Sequence, residues 1–399
     1  MAPVIGREIQ FIFQMGSDYI SKNWENLSNK IHDFYRSYYL PSLLEKPNQQ
    51  NDPAHAYSKN LLKASVYQCT FPNKKEIWKN WEIREHTAHI LSSDGKQIRV
   101  PITVFTSRQY KDINDPEKTH TILRFSGNKE DKITSNIQAM SLISEHVDFI
   151  KNSHPSSHYN LKLLQVDFYS FQIKNERDDN FQQWKPTNSE DFGVLGKIIE
   201  TLHNRGYKVQ FFYFYSVGTM VFNGLERSVA KYFSNATIIV DRGFTSSNNA
   251  AWQLMPWYKA SVAIVGSYLM NWRADINYAM VKVCSNLGSF NGMRIIILEN
   301  QNDPDHFTFN PDLEDRLSPY TMLVDRITMI AEPIQVKEEK EEIEKFFGSQ
   351  ASTNSHAFPL SRFHAARSYE TIDISKGENI LQWLIRDVFS QRAMIRYSG

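Results

Sequence analysis

The sequence predicts an α/β protein with a mostly parallel central sheet and helices on both faces. Two apolar, β-branched runs flank the turn Ser92-Ser93-Asp94-Gly95, which marks an antiparallel hairpin. From Thr119 onward, short apolar runs alternate with longer stretches of helical period, the pattern of strands joined by crossover helices. Lys208–Met220 (KVQFFYFYSVGTM) holds an apolar and aromatic run, Val209–Tyr215, too short and too rich in strand formers to stand as a helix.

The elements follow in order. In residues 1–50, Ile12, Met15, Tyr19, Ile20, Trp24, Leu27, Ile31, Phe34 and Tyr38 recur at three- and four-residue spacing until Pro41. The expectation is a helix packed on the domain surface. Peripheral membrane or partner contact through residues 1–50 is the rival, disfavoured because the polar face is mixed in sign. Residues 1–80 are therefore read as a helical extension and 81–399 as the main domain. The hairpin strands are Thr87–Leu91 and Ile98–Thr106, and a third strand is Thr119–Phe125. A helix over Ile133–Ile150 leads to a strand at Leu161–Phe168, and Asn175–Glu190 reads as a polar loop. A helix at Phe192–Asn204 closes on Gly206, where a left-handed backbone suits glycine. After the Val209–Tyr215 strand, Thr219–Phe233 reads as more helical, and Ala236–Val240 is the next strand. Ala250–Leu287 is aromatic-rich and helical in pattern, Arg294–Leu298 is a strand, and another falls near Ile327–Val336. Lys337–Lys345 is a charged, solvated helix, Gly348–Phe363 a polar loop, and Asn379–Gln391 an amphipathic terminal helix.

Composition narrows the function. The 399 residues carry a formal net charge of +1, with 41% hydrophobic and 22% charged residues. That is a globular balance, without the basic bias expected of a nucleic-acid partner. The two cysteines, Cys69 and Cys284, are too far apart to suggest a disulfide framework or a zinc site. They suit a reducing, cytoplasmic compartment. No run approaches the roughly 18 apolar residues of a spanning helix, and the first residues lack a secretory cleavage pattern. No glycine-rich phosphate loop or zinc-helix pattern appears, so no cofactor and no metal are expected.

The strand ends carry the chemistry. In a parallel sheet, sites gather at the carboxyl ends of the strands. Gly127, Ser216, Asp241 and Asp303 all follow strands directly. A serine at a sharp strand-to-helix turn projects its hydroxyl above that edge. An alcohol needs a neighbouring base to attack, and an imidazole in turn needs a carboxylate to fix its tautomer. Ser216, Asp303 and His356 occur in the order nucleophile, acid, base. The backbone N–H groups of Val217 and of the Gly127–Asn128 turn are the oxyanion donors. Asp241 is the rival acid and His364, expected on a helix, the rival base. The plain alternatives are a satisfied turn serine at Ser216, a tight turn at Gly127 and an ion pair of Asp241 with Arg242.

These features together resemble the α/β-hydrolase superfamily over most of residues 83–395. The resemblance is nearest to bacterial members of unknown substrate with an Asp-Arg-x-Phe turn, here Asp241-Arg242-Gly243-Phe244. It implies a serine hydrolase of carboxylic esters or thioesters, with a small-molecule or lipid-like acyl substrate. It also suggests a cap insertion over residues 250–290, for which an ordinary core helix pair is the favoured plain alternative, and it permits delivery into a host cell as an effector. One departure stands out. The usual elbow is G-x-S-x-G, and this chain has Phe214-Tyr215-Ser216-Val217-Gly218. A phenylalanine where glycine relieves crowding calls for a wider turn or a rearranged neighbour. It is the feature that favours a catalytically silent binding module with the same fold.

Overall fold

In the computed structural model, the described residues are 81–92, 95–107, 119–127, 132–167, 171–174, 180–183, 189–224, 231–233, 236–243, 246, 248, 251–252, 256–269, 294–300, 327–333, 363–367 and 378–390. The proposed extension over 1–80 lies outside them. So do the charged run at 337–345 and much of the 250–290 segment.

One mixed sheet carries the described fold. Its strands are β1 (Trp81–Leu91), β2 (Gln97–Ser107), β3 (Thr119–Phe125), β4 (Asn160–Val166), β5 (Gln172–Lys174), β6 (Phe181–Gln183), β7 (Phe211–Tyr215), β8 (Thr237–Asp241), β9 (Arg294–Asn300), β10 (Ile327–Pro333) and β11 (Phe363–Arg367). The order from one edge is β11-β10-β9-β8-β7-β3-β4-β2, with β1 paired to β2 and the short β5 and β6 continuing from β2. The block β4-β3-β7-β8-β9-β10 is parallel throughout. β1, β2, β5, β6 and β11 run antiparallel to their partners. The expected α/β class with antiparallel opening strands is met.

Strand β7 is central, between β3 and β8. All five of its residues are buried, as a strand covered on both faces requires. Alternation sends Phe211, Tyr213 and Tyr215 to one face and Phe212 and Phe214 to the other. The first face meets α1 (Lys132–Asn152), through Ala139, Leu142 and Ile143, and the terminal helix α4 (Ile380–Trp383), which continues as a π-turn through Leu384–Phe389. Phe389 sits edge-on to Phe211 at 4.8 Å between centroids. Asn379 caps α4 in a reciprocal box with Gln382, the two bonds measuring 2.8 and 3.1 Å. The helix α2 (Ser189–Asn204) buries Val194, Leu195, Ile198, Ile199 and Leu202, one stripe of helical period.

The turn chemistry read from the sequence holds at two glycines. Gly206 has φ +85°, and the N–H of Tyr207 reaches back to the Leu202 carbonyl at 3.0 Å, which is a Schellman closure. Gly95 has φ +81° in the first hairpin. The helical stretch expected after the strand opens as a 3-10 helix, Ser216–Gly224. Two expectations are corrected. His364 lies on strand β11 opposite Glu332, not on a helix. The segment read as a loop at 175–190 contains β6, which with β5 forms a small hairpin on β2. Three-residue strands are too short to print an alternation that sequence reading can catch. Within the Ala250–Leu287 stretch, the described helix α3 covers Trp257–Leu269.

Candidate active site at the end of strand β7

Ser216 follows β7 directly and has φ +50°. A β-carbon makes this left-handed region unfavourable, so a serine held there marks a strained, sharply bent turn. The chain then tightens into the 3-10 helix, whose second residue is Val217. Thr219 donates its hydroxyl to the Ser216 carbonyl at 2.6 Å and so helps hold the bend.

Two close approaches make the turn possible. At Gly218, an added Cβ would stand 2.8 Å from the carbonyl oxygen of Phe125, at the end of β3. At Gly127, an added Cβ would run into the ring of Tyr215 and stand 3.1 Å from Ser216 Cβ. The backbone of Gly127 therefore lies beside Ser216, as the expected strand-end cluster requires. Ser126, just before it, ties its N–H to the Val166 carbonyl at 3.0 Å. Ser216 itself is 4% exposed.

Phe214 does not crowd the turn. In register it faces Phe125 across β3 and β7, and their rings stack at 5.3 Å with a 10° interplanar angle. Its ring also stacks with Phe212 at 6.4 Å. The bulk that departs from the familiar elbow goes into a sheet-face aromatic row, away from the face of Tyr215.

Asp241 ends β8 opposite Tyr215 and is buried. Its carboxylate accepts from Arg242 Nε at 2.7 Å and Arg242 Nη2 at 2.9 Å, a bidentate pair, and from the hydroxyl of Tyr213. Three donors thus occupy this acid, as its ion-pair reading expects. Arg242 is only 2% exposed. Burial pulls its guanidinium pKa down, but Asp241 and then Tyr215 pull harder the other way, and it stands above its ordinary value. Burial, aided by Asp241, raises the Tyr213 phenol well above its usual range. Arg124 adds a second buried guanidinium, its carbon 5.6 Å from the centroid of Tyr213 and 5.5 Å from that of Tyr215. Beyond the Asp241–Arg242 pair, this layer of Tyr213, Tyr215 and Arg124 was not foreseen. The alternation Tyr213, Tyr215 beside Arg124 and Asp241 was its only sequence signal.

Asn128, Asp303 and His356 lie outside the described residues, and for His364 the backbone alone is described. Among the described residues, no group of three or more His, Cys, Asp or Glu could hold a metal ion. Among them, no helix is long and apolar enough to cross a membrane.

No protein-family model and no curated protein matches the chain. Solved structures do. An esterase of Pyrococcus furiosus is 11% identical, with a TM-score of 0.36, over 70% of this chain and 94% of its own. Brefeldin A esterase, a bacterial homologue of human hormone-sensitive lipase, is 11% identical, with a TM-score of 0.35, over 82% and 92%. Oligopeptidase B of Leishmania major is 9% identical, with a TM-score of 0.35, over 70% and 37%. These are esterases and a peptidase of the α/β-hydrolase superfamily. Likeness at this level says nothing of what this chain acts on.

Proposed function

We propose that this protein is a serine hydrolase of carboxylic ester or thioester bonds, with Ser216 as its nucleophile. One observation carries the reading: a left-handed serine at the end of the central strand, with the Gly127 backbone beside it. In this reading the Ser216 hydroxyl attacks the acyl carbonyl while His356 takes its proton. Asp303 holds the imidazole in its productive tautomer. The backbone N–H groups of Val217 and Asn128, at the turn after Gly127, receive the oxyanion. The proton then passes to the departing alcohol or thiol, and water releases the acyl group by the same route. Asp241, already bonded to Arg242 and Tyr213, serves structure instead, and His364 is the alternative base. The substrate is a small-molecule or lipid-like acyl compound, and no cofactor enters the steps. A role as an effector inside a host cell is compatible with this chemistry.

A second reading has its own support. At 4% exposure, Ser216 is nearly closed off, which suits a silent scaffold used for binding. A fluorophosphonate probe decides between them. The hydrolase reading expects covalent labelling at Ser216 that Ser216→Ala abolishes. A folded, unlabelled chain would leave the binding module standing.

A further inference from the structure

Among the described residues, the non-glycine positions with positive φ are Ser216 at +50° and Arg242 at +48°. They are not scattered. Tyr215 pairs with Asp241 on neighbouring parallel strands, so Ser216 and Arg242 are the next residues, side by side at one sheet edge. Left-handed residues of this kind are strained and persist only where their surroundings over-determine them. The Arg242 turn is over-determined. Its N–H donates to the Leu298 carbonyl on β9 at 2.8 Å, and its guanidinium is gripped by Asp241.

From that anchored turn, two contacts run to the nucleophile. The Arg242 guanidinium carbon lies 4.8 Å from the centroid of the Tyr215 ring. The same ring fills the space in front of the Gly127 Cα. The second contact runs through Gly243, where an added Cβ would meet Thr219 Cγ2 at 2.6 Å. Thr219 is the residue whose hydroxyl holds the Ser216 carbonyl. The turn Asp241-Arg242-Gly243 thus presses on both the residue before Ser216 and the helical turn after it.

We propose that Arg242 is a positioning residue for the nucleophile: clamped by Asp241, it fixes the Tyr215 ring as a spacer that sets the gap between Ser216 and the Gly127 backbone. Arg242 does not touch substrate. It acts through Tyr215, and this inference rests on the reading of Ser216 as a nucleophile. Displacements of about 1 Å in such geometry can slow a reaction on the order of a hundredfold.

The test uses the full chain, with Arg242→Gln, Arg242→Ala and Tyr213→Phe variants. Folding is verified by circular dichroism and thermal melting. Labelling by a small fluorophosphonate is followed over a concentration series, which separates the limiting rate from the half-saturating concentration. The expected result is a limiting rate lowered roughly tenfold to a hundredfold in Arg242→Gln, with half-saturation unchanged. Millimolar guanidinium should restore part of the rate to Arg242→Ala, a rescue that general loosening of the fold would not give. A folded Arg242→Gln that labels at the wild-type limiting rate overturns the proposal. Should the arginine variants fail to fold, Tyr213→Phe decides, because it loosens the clamp on Asp241 while keeping the ring. An unchanged limiting rate there overturns the proposal as well. A wild-type chain that takes no label at all overturns the nucleophile reading itself, and this one with it.

Discussion

The Cα of Gly218 lies so close to the end of β3 that a β-carbon on it would meet the Phe125 carbonyl oxygen at 2.8 Å. A backbone oxygen in a central strand cannot swing aside as a side chain can. Gly218→Ala is therefore expected to push the 3-10 turn away from β3. Overpacking of this kind costs about 1–3 kcal/mol. Urea unfolding should show the loss, and fluorophosphonate labelling of Ser216 should slow in parallel. A variant as stable and as reactive as wild type would mean that the turn has slack.

Phe214→Gly recreates the familiar G-x-S-x-G sequence, yet it should harm this protein. It empties the row formed with Phe125 and Phe212. Removing a buried phenylalanine costs about 3–5 kcal/mol. The thermal midpoint should drop, with no gain in labelling rate. A faster and equally stable variant would show that the aromatic hinders the turn after all.

Breaking the buried clamp from its acidic side should be severe. Asp241→Asn leaves the Arg242 guanidinium at 2% exposure without its counter-charge. Orphaning one member of a buried pair costs about 3–5 kcal/mol. Tyr213→Phe removes one hydrogen bond to the same carboxylate, worth roughly 1.5–3 kcal/mol. Chemical denaturation should rank the two in that order, and the reverse ranking would argue against the clamp.

His146 gives the stability a pH dependence. It lies on α1, 2% exposed, with Nε2 bonded to the Tyr159 carbonyl at 3.1 Å. Burial, against the pull of that carbonyl, lowers its pKa from 6.5 to about 3, and nearby His120 and His158 add to the lowering. The unfolded chain binds a proton below about pH 6.5 that the folded chain refuses down to about 3. Stability from this group is thus full above that window and falls as the pH drops through it. Urea midpoints at pH 7.5 and 5 should differ more in wild type than in His146→Phe. Equal differences would remove His146 from the account.

Much of the fold was legible because its signals are local. The Gly95 hairpin and the Gly206 closure are each written within a few residues. The place of Ser216 followed from a short aromatic strand with nowhere to go but the sheet. What was missed depends on contacts across strands. Phe214 looked like an obstacle because its stacking partner, Phe125, is 89 residues away in the chain and is brought opposite by register alone. Asp241 read as a rival acid or as a partner of Arg242, and nothing local announces that Tyr213, on the neighbouring strand, will donate to it as well. The left-handed backbone of Arg242 was equally silent, since arginine has no preference for that region.

The hydroxyl of Tyr159 reaches the Ile385 carbonyl at 3.1 Å, across 226 positions. Trp383, Leu384 and Phe389 cover the same sheet face as Phe211 and Tyr213. During synthesis, β3, β7 and β8 can assemble long before this cover emerges. Until residues 379–389 leave the ribosome, the part of that aromatic face that α1 does not cover stays bare to water and to neighbouring chains. A polypeptide stalled or clipped short of that point should be a client for chaperones and a seed for aggregation, even with every strand of the parallel block in place.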